Sequence, residues 1–228
     1  MKESQIQTFL NKLNNNKYSK TIFKHQIGVN VDYAKVWESI KSTQQKPYSF
    51  FFIKTNDKYI GAVLDMYNDL HWYMSPNYRG KGHLTIALKE VILPYIFDVL
   101  ERDSQIISIT ESQIGSTNYK NSIKVALSVG FKKLDGDKLE LSFEDLDKAF
   151  DETRVIFNGL SDKKVDTINN ELVFIAKRLN QINAQIDNAF GKDIYEYTNN
   201  PLKELSTIVS NHKYIIQDII SDFNELKG

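Results

Sequence analysis

The strongest constraint on the fold is a repeat of apolar residues between residues 161 and 223, at alternating spacings of three and four. Side chains spaced in this way lie on one face of an α-helix and pack against another helix along its length. The first run comprises Val165, Ile168, Leu172, Ile175, Leu179, Ile182, Ile186 and Ala189. The second comprises Leu202, Leu205, Val209, His212, Ile216, Ile219 and Phe223. The pattern predicts an antiparallel helical hairpin, or a three-helix coiled-coil-like unit if a preceding helix joins it.

Local signals mark where these helices begin and end. Ser161 is a predicted N-cap of the first helix, and Asn200 followed by Pro201 is a predicted N-cap and first residue of the second. Ser142 and Asp145 resemble a capping box and predict an earlier helix up to the breaker at Gly159. The apolar face of that earlier helix would be formed by Phe143, Leu146, Phe150, Phe157 and Leu160.

The polar residue in the second run is His212. We expect it at a core position of the helical region, where a polar side chain can fix the register of packed helices. A metal-binding or catalytic role for His212 is the less favoured alternative.

The preceding residues, up to about 142, have a mixed pattern. SQIQTFLNKL and YAKVWESIKS read as short helices, whereas YSFFFIKT, KYIGAVLDMY and LHWYMS read as three strands joined by tight turns. A helix after Gly82, the strand QIISITE, a helix at 118–129 and the strands FKKL and KLELSF follow. We therefore predict an α/β domain over residues 1–143, with a mixed, mostly antiparallel sheet flanked by helices, and an all-α domain over residues 144–228.

Composition excludes several kinds of site and partner. The chain has no cysteine, so disulfides and thiolate metal ligands are excluded, and we predict no metal site. Residues 1–142 carry 19 Lys and Arg against 14 Asp and Glu, an excess too small to indicate nucleic-acid binding. The most apolar stretch, VILPYIFDVL, is too short to span a bilayer and no signal-peptide pattern is present, so we expect a cytoplasmic protein without a membrane partner.

A glycine-rich loop joins the last strand of the meander to the following helix, within SPNYRGKGHL. Glycines at such a position allow the backbone to approach a ligand, and a helix N-terminus offers unpaired N–H groups to an anion. The loop has neither the ending of a Walker A motif nor the third glycine of a dinucleotide-binding motif.

The segment Arg79-Gly80-Lys81-Gly82 resembles the acyl-CoA loop of the GNAT (GCN5-related) N-acetyltransferase superfamily, whose pattern is Gln/Arg-x-x-Gly-x-Gly/Ala. Leu84 stands at the last position of that pattern. NSIKVALSVGF, at residues 121–131, resembles the second signature of the same family, and is most similar to the branch that acetylates protein N-terminal amines. That branch carries an Asn where this chain has Tyr119.

This resemblance implies acetyl-CoA as co-substrate and a primary amine as acceptor, whose identity the sequence does not reveal. The diphosphate of the coenzyme would bind at the loop, and the pantetheine arm would follow the strand before it. The implied cofactor-binding residues are Tyr73, Met74, Arg79, Gly80, Lys81, Gly82, His83, Leu84, Thr85 and Asn118.

Acyl transfer also needs a base for the amine and an acid for the leaving thiolate. Many family members use a Tyr as the acid, and here that position is Ala126. Ser122 or Tyr119 are the substitutes that we consider, or the thiolate leaves unaided. The candidate bases are Glu111 and His71.

Two functions remain open at this stage. The first is an acyl-CoA-dependent N-acyltransferase whose residues 144–228 self-associate or bind a protein partner. The second is a catalytically weak or inactive scaffold of the same shape that acts through its helical region. Transfer of a larger acyl or aminoacyl group is a third alternative.

Overall fold

The computed structural model describes residues 1–191 and 201–227, which divide into two compact units. The first unit is Met1–Phe157 and the second is Asn158–Gly228. The first unit therefore extends past the predicted division between residues 143 and 144. Membrane spans were sought among the described helices, and none of them is long and apolar enough to be one.

The first unit is built from eight strands and four helices in an α/β arrangement, as predicted. The strands are β1 (Ile22–Gly28), β2 (Val31–Val36), β3 (Tyr48–Thr55), β4 (Lys58–Asp65), β5 (Leu70–Met74), β6 (Ser104–Ser108), β7 (Lys132–Lys133) and β8 (Lys138–Ser142). The helices are α1 (Glu3–Asn14), α2 (His83–Ala87), α3 (Glu111–Ile114) and α4 (Ser116–Ser128). Beyond α2 the chain stays helical through two wider π-helical segments, Leu88–Ile92 and Tyr95–Val99, on either side of Pro94, which has no N–H to donate.

The strands form two antiparallel sheets rather than the single mixed sheet that the sequence predicted. β1 to β5 form one sheet in sequence order, and β6, β8 and β7 form the other. Every ladder between the described strands is antiparallel. The α/β class and the predominance of antiparallel strands are thus confirmed, whereas the mixed sheet was wrong.

Both faces of the five-stranded sheet are buried, which explains why β3 is apolar at consecutive positions. Phe51 faces the helical stretch at 83–99, with its ring 5.8 Å from that of Tyr95. Phe50 and Phe52 face α1 on the opposite side, where their rings stack 5.3 Å apart. A strand covered on both faces needs apolar residues at every position, because alternate side chains point to opposite faces.

β5 and β6 are neighbouring edges of the two sheets. Side chains link Asp65 to Arg102 and Asp69 to the amide of Ser108, so the two segments run side by side in the same direction. No ladder joins β5 to β6 in the described part of the chain. The edge of β5 beyond Asp69 is therefore not paired with another strand.

Two predicted helices are not helical. Most of YAKVWESIKS belongs to β2 and the loop after it, and β1, which the sequence analysis did not predict, pairs with β2. Val31 and Tyr33 pack on one face of the sheet and Ala34 and Val36 on the other. This two-sided burial produced an apolar pattern that resembled a short helix.

Residues 143–157 also lack the predicted helix. They contain only two short 3-10 turns, Phe143–Asp145 and Glu152–Arg154. The Phe150 ring packs 5.1 Å from Tyr95, and the Ile156 amide donates to the Gln26 carbonyl at the edge of β1. Tertiary contacts within the first unit thus hold the segment in an extended form, against its helical period.

The second unit contains the helical hairpin that the sequence predicted, formed by α5 (Asp162–Phe190) and α6 (Pro201–Glu225). The Ser206 hydroxyl donates to the Ala176 carbonyl at 3.0 Å, and Gly159 lies against the Phe223 ring. These two contacts fix the antiparallel register of the helices. α5 begins after Ser161 as predicted, although no hydrogen bond from a helix amide to the Ser161 side chain is present; the predicted cap Asn200 lies outside the described residues.

The inner face of α6 is shifted by one position along part of the helix. Ser206 is buried and Lys213 half-buried, whereas Leu205, His212 and Ile219 are exposed. The predicted core position of His212 was therefore wrong. The small residues Ala176 and Ser206 allow the helices to approach closely at these two positions, which rotates the bulkier residues outward.

Candidate functional site

The loop between β5 and α2 has the left-handed backbone that its glycines permit. After a 3-10 turn at Pro76–Tyr78, Gly80 has a φ of +70° and Gly82 a φ of +78°. Other residues adopt such angles only with strain. Gly82 is the residue before α2, so the left-handed turn leads directly into the helix.

Within residues 1–191 and 201–227, the amides of residues 80–85 donate to no protein acceptor. The first hydrogen bond of the helix is donated by the Ile86 amide to the Gly82 carbonyl. Among the described residues, no acceptor is bonded to any of the six amides before it. Successive free N–H groups at a turn and a helix start form an anion-binding concavity.

The space in front of the two glycines is open. A Cβ added at Gly80 would meet no atom within 4 Å, and one at Gly82 would approach only the end of Ile86, at 3.9 Å. Leu84, which departs from the family pattern, is 9% exposed and packs into the main core. Its side chain therefore leaves the loop surface unobstructed.

Cations and an aromatic ring surround the loop. Lys81 and Lys58, from the start of β4, lie 5.6 and 5.9 Å from the centre of the Tyr78 ring. The Arg79 Nε donates to the Met74 carbonyl at 2.8 Å, which ties the loop to the end of β5. The sequence analysis did not include Lys58 or Tyr78 in the site. Lys58 begins β4, far from the loop in sequence, and no motif at Lys58 indicated a role.

The backbone of β5 assigns different roles to Tyr73 and Met74. The Ser75 amide donates to the Ile60 carbonyl, so by antiparallel alternation the backbone groups of Tyr73 also point towards β4. Those of Trp72 and Met74 point to the unpaired side. A ligand that follows this edge can therefore bind the backbone groups of Trp72 and Met74. The backbone groups of Tyr73 face β4 instead.

α4 contacts β5 through the side chain of Trp72. The indole Nε1 of Trp72 donates to the Ser122 hydroxyl at 3.4 Å, which adds Trp72 to the candidate site. Tyr119 is half-buried against the same core, and Ala126 is fully buried. Asn118 is exposed and donates to the Ile114 carbonyl.

The two candidate bases have different surroundings. Glu111 is exposed at the first residue of α3. His71 shares the α1 face of the sheet with Tyr73, and burial lowers the pKa of His71. Its Nε2 is buried and has no hydrogen-bond partner among the residues that the structure describes. Burial raises the pKa of Asp69 despite hydrogen bonds from the Ser108 and Leu70 amides.

The structure thus brings the loop amides, the outer edge of β5 and the Trp72–Ser122 contact to one side of the first unit. His83 and Thr85 are half-buried at the start of α2. No group of three or more potential metal ligands is found within residues 1–191 and 201–227. Comparison of the chain with family models, curated proteins and solved structures gave no match.

Proposed function

We propose that the protein is an acyl-CoA-dependent N-acyltransferase that modifies a primary amine. One observation carries the proposal: in the described part of the chain, the amides of residues 80–85 have no acceptor, and they lie in a glycine turn that enters a helix. The diphosphate of coenzyme A is the anion that fits this concavity, since Lys58, Arg79 and Lys81 add positive charge around it. A family relationship to the GNAT superfamily, on the motifs given above, is part of this proposal.

The reaction would take place along the outer edge of β5. With the diphosphate at the loop, the pantetheine arm follows Trp72 and Met74, whose outward amides can bind it and polarise the thioester carbonyl. The amine nitrogen attacks the carbonyl carbon, the C–S bond breaks, and the sulfur leaves as a thiolate. Ser122 is the candidate hydroxyl that contacts Trp72 of this strand, and Glu111 is the exposed carboxylate proposed to accept the amine proton.

Titration calorimetry of the protein with acetyl-CoA tests the proposal. We expect micromolar binding that Gly82→Trp abolishes, because the new side chain would fill the open space before the amides. Gly136→Trp is a matched control: Gly136 also has a positive φ and nothing within 4 Å of an added Cβ, but lies in the β7–β8 turn. Absence of heat with millimolar acetyl-CoA, or equal loss in both variants, would refute the proposal.

A second function is favoured by the absence of a hydroxyl at position 126. Ala126 is fully buried where many relatives of the proposed family carry the acidic Tyr, so a protein that binds acetyl-CoA without rapid transfer is the alternative. Such a scaffold would act through the helical hairpin, which would bind a protein partner. Release of free thiol with a panel of amines distinguishes the two, since the scaffold would bind acetyl-CoA and release none.

We place the proposed activity in the cytoplasm. The chain has no cysteine, which is compatible with a reducing compartment. Fractionation of the native host, followed by detection of the protein with an antibody, tests this placement.

A further inference from the structure

The carboxylate of Asp69 joins the two sheets at the point where β5 begins. One of its oxygens, Oδ1, accepts a hydrogen bond at 2.9 Å from the amide of Ser108, the last residue of β6. The carboxylate also accepts a hydrogen bond from the amide of Leu70. Since no ladder joins β5 to β6 in the described part of the chain, this side chain takes the place of a bond between neighbouring strands.

Before Asp69, the two sheets are held together by a buried polar network. Arg102 forms an ion pair with Asp65 at 2.7 Å, and these side chains are only 8% and 5% exposed. The buried Gln105 side chain donates to the Tyr67 carbonyl at 3.3 Å, and Arg102 donates to the same carbonyl at 3.1 Å. On this side of Asp69, the space between the sheets is therefore filled by protein side chains.

Beyond Asp69, towards the glycine loop, β5 and the chain after β6 continue without a ladder between them in the described residues. The Ile109 amide donates at 2.9 Å to the Asp137 carbonyl, on the β8 side. By alternation along the extended chain, the amide of Thr110 faces β5. Neither this amide nor the outward amide of Trp72 has an acceptor among the residues that the structure describes. A cleft with free amides on both sides thus begins at the Asp69 carboxylate.

This cleft leaves little room for the acyl group of a donor. Of the free outward amides of β5, that of Trp72 lies farthest from the glycine loop, so the thioester carbonyl at the end of the arm binds there. The next outward amide, that of Leu70, is about 7 Å further along at ~3.4 Å per residue, and Asp69 occupies it. Because atoms in contact stay about 3.5–4 Å apart, about 3 Å is free for carbons beyond the carbonyl. That length accommodates the methyl group of acetyl but not the longer chain of butyryl.

The side chains next to this interval belong to the packed core. Leu70 is 4% exposed, and Ile107 and Ile109 on the neighbouring segment are 0% and 5% exposed in the same apolar cluster. A longer acyl chain could enter only by displacing side chains that are already close-packed. The core therefore offers no alternative path around the carboxylate.

We propose that Asp69 forms the closed end of the acyl site and restricts the donor to acetyl-CoA, an inference that rests on the proposed function. In this role Asp69 determines specificity, because it sets the length of the site and takes no part in the chemistry. Transfer of a larger acyl group, the third alternative of the sequence analysis, is accordingly disfavoured.

Titration calorimetry of the full-length protein with free coenzyme A, acetyl-CoA and butyryl-CoA tests the inference. The parent protein should bind acetyl-CoA at least about tenfold more tightly than butyryl-CoA, because a methylene that does not fit its site costs on this order. Asp69→Ala removes the closed end, so the two dissociation constants should agree within about twofold. Free coenzyme A should bind the parent and the variant equally, since it has no acyl group.

Three further variants separate the length of the side chain at position 69 from damage to the turn. Asp69→Asn keeps the size and one acceptor oxygen, and should preserve the preference for acetyl-CoA. Asn68→Ala, at the exposed neighbouring position, should preserve it too. Asp69→Ser shortens the side chain but keeps an acceptor, so it should lose the preference even if Asp69→Ala does not fold. Circular dichroism of each variant establishes that the fold is retained.

Equal affinity of the parent protein for the two donors would overturn the inference, as would a preference that both Asp69→Ala and Asp69→Ser retain. This failure is distinguishable from failure of the proposed function, because free coenzyme A still binds the parent protein. If none of the three ligands binds, the proposed function is refuted and this inference falls with it.

Discussion

The two units of this protein use apolar residues in opposite ways. In the first unit, large side chains such as Phe51, Phe50 and Ile60 are fully buried between a sheet and the helices on its faces. In the second unit, large aliphatic residues such as Ile208 and Ile219 are more than half exposed. Both units have strongly patterned sequences, so the difference lies in how many layers each can supply from within the chain.

The comparison shows that the spacing of apolar residues determines which secondary structure forms. The number of packed layers of helices and sheets determines how much of the apolar surface is buried. A five-stranded sheet with helices on both sides is three layers and closes its own core. Two helices form a single pair with one contact line, and the rest of a wide apolar stripe stays outside. The first unit should therefore lose more stability than the second when a large apolar side chain is removed.

The largest expected effect is that of Phe51→Ala. Phe51 is completely buried, with its ring 5.1 Å from that of Tyr33, so removal of the side chain leaves a cavity. We expect a loss of about 3–5 kcal/mol in the free energy of unfolding, measured by urea denaturation with near-ultraviolet circular dichroism.

The matched control is Phe174→Ala on α5, where the same side chain is 69% exposed. Its expected change is less than about 0.5 kcal/mol. Equal effects at the two positions would mean that the contrast between the two units does not hold in solution.

The next effect comes from a buried charge. Asp32 is 1% exposed and accepts hydrogen bonds from Lys24, Lys54 and the Tyr59 hydroxyl. Burial alone would raise the pKa of Asp32, but these bonds hold it below its ordinary value. Asp32→Ala leaves two partly buried lysines without their carboxylate, and we expect a loss of about 2–3 kcal/mol by the same denaturation measurement.

Glu144→Ala is the control for Asp32, because Glu144 is an exposed carboxylate of the same unit. It should leave the midpoint of unfolding unchanged. If Asp32→Ala is equally neutral, the buried network does not contribute to stability.

A smaller effect is expected where the helices of the hairpin touch. Ser206→Ala removes the hydrogen bond to the Ala176 carbonyl but keeps the close approach of the backbones. The expected loss is about 1 kcal/mol. It should be seen in thermal unfolding followed by far-ultraviolet circular dichroism, and Ser221→Ala, at an exposed position of α6, should show no loss.

The sequence predicted elements well where one period dominated. The runs at 165–189 and 202–223 specified two helices, and the meander β3 to β5 followed from its strand and turn residues. It failed at β2 and at residues 143–157. There, burial on two faces, or contacts such as that of Phe150 with Tyr95, replaced the local preference.

The site was predictable in its loop and unpredictable in its surroundings. Gly80 and Gly82 indicated a left-handed backbone from the sequence alone, and both have a positive φ. Lys58 and the Trp72–Ser122 contact come from distant segments, and only the packing of β5 against α4 brings the latter pair together. The prediction of a core position for His212 was wrong for a related reason, because the close contact between Ala176 and Ser206 determines how the two helices are rotated.

The smallest expected effect is a pH dependence that arises in the first unit alone. Burial lowers the pKa of His71 from its ordinary value near 6.5, and the N-terminal amine acts in the same direction, whereas Glu3 and Asp69 oppose it. The unfolded chain therefore binds a proton in a range where the folded chain does not. Stability contributed by neutral His71 is present above pH 6.5 and decreases as the pH falls from 6.5 towards the lowered pKa.

We expect the midpoint temperature of thermal unfolding to decrease as the pH is lowered from about 7.5 to about 5.5. His71→Gln should remove only part of this decrease, since burial also lowers the pKa of His25. If His71→Gln leaves the whole decrease in place, neutral His71 is not a source of the acid sensitivity of the first unit.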